Sequence, residues 1–136
     1  MQNVFDAKDA QEYINRINNL TPETQRKWGK MSVDQVLAHL NVAYDLTFTP
    51  EKFPKPSFIA KFLLSRFVKP KITNEIPYKQ SLPTSPVFII ADERNFEEEK
   101  AKLIGNIQRV QQLGREAFEG KENINFGKMT AQGWNN

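Results

Sequence analysis

The sequence of 136 residues contains no cysteine and only one histidine, His39. Without cysteine the chain can form no disulfide, thiolate metal site or cysteine nucleophile, and its composition is compatible with a reducing cytoplasm. No apolar run approaches the roughly 20 residues of a membrane-spanning helix. The first residues, 1–6, lack the basic and apolar regions of an export signal. We therefore expect a cytoplasmic protein with no stable membrane association.

The motifs of several large enzyme classes are also missing. There is no Walker phosphate-binding loop, no Rossmann glycine pattern, no Gly-x-Ser-x-Gly elbow and no His-Glu-x-x-His pair. The net charge of +3 is mild, whereas nucleic-acid binding usually requires a clustered basic face, so no nucleic-acid partner is expected. The length predicts a single domain over residues 1–136. A metal-dependent enzyme and a binding protein remain as function classes.

The apolar periodicity predicts an all-α fold. It indicates helices over residues 6–19 and 32–47, the second opened by a capping box between Ser32 and Gln35. Prolines punctuate residues 51–91 and leave one uninterrupted helical stretch there, from Ser57 to about Val68. Residues 87–90 are predicted to form an apolar loop lying across the bundle, because no second strand is available for pairing.

A further helix is predicted after the proline-rich middle. Asp92 or Asn95 caps it, an apolar stripe runs along it, and Gly114 ends it. Residues 115–125 are predicted to be a polar connection.

One short phrase occurs twice. Trp28-Gly29-Lys30-Met31-Ser32 returns as Phe126-Gly127-Lys128-Met129-Thr130. In each copy the hydroxyl residue is a natural N-cap that follows a glycine turn. The repetition predicts two equivalent helix starts in a bundle with internal pseudo-symmetry, with Trp28 and Phe126 packing alike. The second start leads into a last helix that is truncated in this sequence.

His39 is the candidate metal ligand. The predicted buried arc of its helix comprises Val33, Val36, Leu37, Leu40, Ala43 and Tyr44, with His39 at the edge and Asn41 pointing away. An imidazole there can bind a metal, act as acid or base, or satisfy a buried polar contact. A zinc or nickel site needs at least three protein ligands, and this chain cannot supply three histidines.

Residues 51–79 combine many basic residues with an apolar helix. The basic residues are Lys52, Lys55, Lys61, Arg66, Lys69, Lys71 and Lys79, against Glu51 and Glu75. The helix can pack on the bundle with its lysines solvated, or cover a ligand pocket. It can also bind an anionic membrane surface or another anionic ligand.

Four phrases carry a resemblance to a known family. They are residues 20–32, Leu37-Ala38-His39, residues 92–97 and residues 126–130. In order and spacing they resemble the DinB-like superfamily of metal-binding four-helix bundles, with an up-down-down-up topology, and most closely an uncharacterised bacterial branch. The resemblance implies a divalent-metal-dependent hydrolase or transferase.

The resemblance also implies a ligand set. In that superfamily three histidines typically hold a divalent metal, one on the second helix and two on the last. For this chain we expect Zn or Ni if a C-terminal helix supplies the remaining ligands, and otherwise no metal. His39 matches the second-helix position, and no other histidine exists to match the rest, so the expected metal site is incomplete in this chain. The alternative is a non-catalytic helical bundle that binds a small-molecule ligand or forms a homodimer, in which a partner subunit covers exposed apolar surface.

Overall fold

A computed structural model describes residues 2–136 and shows a mostly helical chain. The α-helices are α1 (Ala7–Asn18), α2 (Val33–Phe48), α3 (Phe58–Leu63), α4 (Lys69–Ile72), α5 (Phe96–Leu113), α6 (Arg115–Phe118) and α7 (Ala131–Asn135). A two-residue antiparallel hairpin joins β1 (Glu122–Asn123) to β2 (Gly127–Lys128). The predicted all-α class is confirmed. No helix within residues 2–136 is both long and apolar enough to cross a membrane.

Local capping explains where the long helices begin. The Asp6 side chain accepts a hydrogen bond from the first turn of α1. The predicted capping box opens α2, because the Ser32 N–H donates to Gln35 Oε1 at 3.0 Å. Asn95 rather than Asp92 caps α5. The predicted bounds of these three helices are confirmed to within one or two residues, since caps and periodicity are local signals.

α5 lies between α1 and α2. α2 and α5 run parallel. Near the start of both helices Asp34 Oδ2 accepts from the Arg94 N–H at 2.9 Å. Further along both helices Lys102 Nζ lies 2.9 Å from Asp45 Oδ2. α1 runs antiparallel to α5, since the Lys100 ammonium lies near the end of α1. Parallel neighbours require a long crossover connection. Residues 49–95 supply it.

Two apolar clusters form the core. The first joins α1, α2 and α5 through Ala10, Ile14, Leu37, Phe96, Leu103 and Ile107. The second joins α5 to the C-terminal elements through Val110, Phe118 and Ala131. Residues 115–125 are therefore more than the predicted polar connection. Phe118 is only 3% exposed, because it packs edge-on against Phe48 and Trp134.

The predicted inner face of α2 is wrong at three positions. Leu40 and Ala43 are exposed, while Asn41 is 1% exposed. The Asn41 amide is buried because α5 offers polar partners. Its Nδ2 donates to the Glu99 carbonyl at 3.0 Å and to Glu99 Oε2 at 2.8 Å, and its Oδ1 accepts from Asn106 Nδ2 at 3.1 Å. Periodicity alone ranks an amide as outward-facing and cannot foresee these partners.

The helix in the proline-rich middle is longer than predicted. It does not end near Val68, because the chain widens into a π-turn over Leu64–Val68, in which the Lys69 N–H donates to the Leu64 carbonyl. Pro70 then stands at the first positions of α4, where the missing N–H of proline does little harm. Residues 58–72 thus form one continuous helical element, called the outer helix below.

The two copies of the repeated phrase agree only at the turn and the cap. Gly29 and Gly127 have φ of +81° and +68°, a backbone conformation that favours glycine. Thr130 Oγ1 accepts from the Gly133 N–H at 3.1 Å. Trp28, however, is 56% exposed, whereas Phe126 is partly buried beside the hairpin. The predicted equivalence of the two aromatic residues is therefore wrong.

Asn41→Ala tests how strongly the buried amide joins α2 to α5. The variant leaves polar groups of Glu99 and Asn106 without their buried partner, so we expect the free energy of unfolding to fall by about 2–3 kcal/mol. Urea unfolding measures it. Asn15→Ala is the matched control, because Asn15 lies exposed on α1 with one side-chain hydrogen bond, and its loss is expected below about 0.5 kcal/mol. Equal losses of stability in both variants would contradict the conclusion that the buried Asn41 amide joins α2 to α5.

Candidate functional site

A cavity of about 960 Å³ lies between the outer helix and the packed helices. The volume is at the upper end of the range of about 300–1,000 Å³ that small-molecule pockets have. Three residues of α5 line it, Leu103, Ile107 and Val110, and they belong to the core stripe of that helix. Large core side chains that border an open volume make this the candidate binding site.

The outer helix forms the roof of the cavity. It lines the cavity with three residues spaced four apart, Leu64, Val68 and Ile72. Residues of the C-terminal elements, Phe118, Met129 and Trp134, line one end. The cover over a pocket, one of the interpretations of this helix from the sequence, matches this geometry.

Polar contacts attach the roof to the C-terminal elements. Lys61 Nζ pairs with Glu122 Oε1 at 2.9 Å, and Lys69 Nζ donates to the Lys128 carbonyl. Asn136 Nδ2 donates to the Thr73 carbonyl at 2.7 Å. Exposed ion pairs and single hydrogen bonds contribute little each, so the outer helix is held more loosely than α1, α2 and α5. Such a roof can move to admit a ligand.

Two tyrosines and one arginine give the cavity a polar end. Tyr13 and Arg16 come from α1, and Tyr44 comes from α2. The hydrogen bonds found within residues 2–136 use neither tyrosine hydroxyl, and the ion pairs there do not include Arg16. These groups are therefore available to a bound molecule. Their grouping could not be predicted from the sequence, because they are brought together only when α1 and α2 both pack on α5.

Burial keeps the Tyr44 phenol neutral. Burial first, and the neighbouring Tyr13 second, raise the pKa of Tyr44 to about 12. Burial and the charge of Asp9 also raise the pKa of Tyr13, while the Arg16 guanidinium acts in the opposite direction. Both phenols are hydrogen-bond donors at neutral pH rather than bases.

His39 lies outside this cavity, on the half-buried side of α2. Its Nδ1 is 2.7 Å from the carbonyl oxygen of Phe88. Since a carbonyl can only accept, Nδ1 carries the proton, and in the neutral imidazole the lone pair is then on Nε2. The Phe88 ring stands edge-on to the imidazole at 5.6 Å. The predicted apolar loop over residues 87–90 is thus confirmed as a short 3₁₀ turn, Pro86–Phe88, packed on α2.

The resemblance implies three ligands for a metal, and the prediction for this chain is His39 alone, in an incomplete site. A metal-binding histidine does typically donate Nδ1–H to a carbonyl, as His39 does. Within residues 2–136, however, no group of three or more histidine, cysteine, aspartate or glutamate residues could hold an ion. His39 alone of the expected set is present.

Comparison of the chain with family models, curated proteins and solved structures finds no match. Membership of the DinB-like superfamily consequently stays a prediction. The chemistry of the site rests on the geometry described above.

Tyr44→Phe tests the burial of the phenol. The unfolded chain releases the phenolic proton near pH 10 and the folded chain near pH 12, so the stability contributed by the neutral phenol is complete below about pH 10 and lost towards pH 12. With about 1.4 kcal/mol per pKa unit, the loss is roughly 2–3 kcal/mol.

We expect Tyr44→Phe to lack this part of the alkaline decline when urea unfolding is followed from about pH 9 to about pH 12. Tyr78→Phe is the control, because Tyr78 is 57% exposed and should change the decline less. Parallel curves for Tyr44→Phe and the parent protein would show that the phenol is not buried.

Proposed function

We propose that this protein binds a small, largely apolar molecule in the cavity beneath the outer helix. The observation that carries the proposal is the cavity of about 960 Å³ that opens onto the core stripe of α5. Leu40 and Val68, which also line the cavity, are 44% and 38% exposed to solvent, so a ligand bound there covers apolar surface that now meets water. Removing apolar surface from water drives such binding.

The polar end indicates the head group of the ligand. Tyr13 and Tyr44 offer neutral O–H donors, and Arg16 offers a cation at the rim. Donors beside a guanidinium suit a carboxylate or another oxygen-rich anion. A ligand with an acidic head and an apolar chain or ring therefore fits both parts of the cavity. Binding, with no chemical step, is the non-catalytic alternative predicted from the sequence.

We also propose the up-down-down-up topology of a DinB-like four-helix bundle for this chain. The parallel packing of α2 and α5, the antiparallel α1 and the long crossover favour an up-down-down arrangement of the first three long helices. A DinB-like four-helix bundle has this arrangement, as the resemblance implies. This topology supports the family assignment alone, and the homodimer and the cytoplasmic location stay predictions from the sequence.

A metal-dependent hydrolase or transferase is a second candidate function. One observation favours it: the Nδ1–H of His39 is fixed by the Phe88 carbonyl, which leaves Nε2 as an available donor of an electron pair. The ion would need its other ligands from outside residues 2–136, since those residues supply no group of three. We therefore derive no catalytic step from it.

Leu64→Trp tests the ligand site. The larger side chain occupies the cavity below the roof, so we expect it to weaken binding of a fluorescent fatty acid, 11-dansylaminoundecanoic acid, at least about tenfold, or about 1.4 kcal/mol. The matched control is Leu63→Trp. Leu63 is the adjacent residue, it is 47% exposed, and it does not line the cavity. Fluorescence titration gives both dissociation constants.

Three results would contradict the ligand proposal. If titration of the parent protein gives no saturable increase of fluorescence, the cavity does not bind this probe. Equal weakening by Leu63→Trp would place the probe on the outside of the helix. Unchanged binding in Leu64→Trp, with the fold verified by circular dichroism, would place it elsewhere.

His39→Ala tests the metal candidate. If the metal candidate holds, calorimetric titration of the parent protein with Zn²⁺ shows a site that His39→Ala weakens by about tenfold or more, and the absence of such a site in the parent protein removes the candidate. The unfolding midpoint should change little, because one hydrogen bond to Phe88 contributes about 1 kcal/mol. An unchanged affinity removes the ligand assignment. A large loss of stability instead assigns His39 a structural role.

A further inference from the structure

The outer helix exposes large apolar side chains to solvent on the face opposite the cavity. Phe58 is 87% exposed, Ile59 69%, Phe62 59%, Leu63 47% and Phe67 58%. Their spacing of about four residues places them on one stripe, which we call the outer face. The inner face, Leu64, Val68 and Ile72, borders the cavity. A helix that is apolar on two sides is normally covered on both.

Basic residues surround the outer face. Between residues 52 and 74 the chain carries Lys52, Lys55, Lys61, Arg66, Lys69 and Lys71 and no acidic residue. Lys61 and Lys69 are engaged with the C-terminal hairpin. Lys52, Lys55, Arg66 and Lys71 are exposed, so their charge is available to whatever covers the outer face.

We propose that the outer face is a docking surface for an anionic lipid bilayer. Aromatic and aliphatic side chains insert at the level of the headgroups, and the flanking lysines and arginine meet the negative lipid charge. One short amphipathic helix with a few basic residues gives reversible, salt-sensitive binding. Binding at the bilayer surface requires no membrane-spanning helix, and no helix within residues 2–136 is long and apolar enough to be one.

The charge argues against a second copy of the chain as the occupant. In a two-fold interface the same patch meets itself, so the basic residues of one copy would face those of the other, with Glu51 and Glu75 as the acidic residues at the two ends of the segment. Like charges across an interface are unfavourable. The bilayer offers the opposite charge. This inference goes beyond ligand binding and does not depend on it, since it rests on the outer face alone.

Vesicle co-sedimentation tests the docking surface. We expect the full chain to bind vesicles of phosphatidylcholine containing about 30% phosphatidylserine at low salt, and not vesicles of phosphatidylcholine alone. The triple variant Lys55→Glu, Arg66→Glu, Lys71→Glu should bind at least about tenfold more weakly. The matched control changes the same net charge elsewhere, in Arg26→Glu, Lys27→Glu, Lys30→Glu, all exposed residues of the loop before α2, and should stay within about twofold.

A second pair of variants tests the apolar contribution. Phe58→Ser, Phe62→Ser removes two exposed rings and should also weaken binding at least about tenfold. Trp28→Ser, Leu113→Ser removes two side chains that are 56% and 49% exposed outside the outer helix, and it should leave binding unchanged. Circular dichroism verifies that each variant is folded.

Several results would overturn the proposal. These are no binding of the parent protein to anionic vesicles, equal loss in both charge variants, or full binding by Phe58→Ser, Phe62→Ser. Sedimentation velocity supplies the remaining outcome. If the parent protein is a dimer that this phenylalanine variant converts to a monomer, a second copy occupies the outer face and the bilayer assignment is wrong.

Discussion

The parallel packing of α2 on α5 is the constraint on which the rest of the structure depends. Asn41 joins the pair, because its buried amide makes three hydrogen bonds to α5, two with Glu99 and one with Asn106. An unsatisfied buried amide is unfavourable, so this junction selects one arrangement as well as stabilising it. Two parallel neighbours cannot be joined by a short turn. The chain must return along the length of the pair, and the proline-rich segment does so.

The cavity exists because the returning segment does not pack tightly on α5. The longest helical element of the crossover is the outer helix, and a π-turn and Pro70 shape its second half. That element is held to the C-terminal hairpin by Lys61 and Lys69 instead of being packed tightly on α5. Open volume therefore remains between its inner face and the core stripe. The same helix turns a second apolar face to the outside, so one element bears on both proposals.

Local signals were predictable from the sequence, and long-range ones were not. Ser32, Asn95 and Gly114 bound their helices through contacts within a few residues, which composition and spacing record. The burial of Asn41 depends on Glu99 and Asn106, far along the chain. The polar end of the cavity likewise needs Tyr13 and Tyr44 from two helices. Of the candidate site, the sequence offered a pocket cover in the 51–79 segment as one of several alternatives, and the residue that it singled out, His39, lies outside the cavity.

Paramagnetic relaxation in solution tests the ligand site most directly. A spin-labelled fatty acid, doxyl-stearic acid, is added to protein with labelled methyl groups, and the broadening of each methyl signal reports its distance from the label. A ligand in the cavity predicts strong broadening at Leu64, Val110 and Met129 and little at Ile59 on the outer face. Broadening confined to Ile59 and Leu63, or none at all, would contradict a ligand site beneath the outer helix.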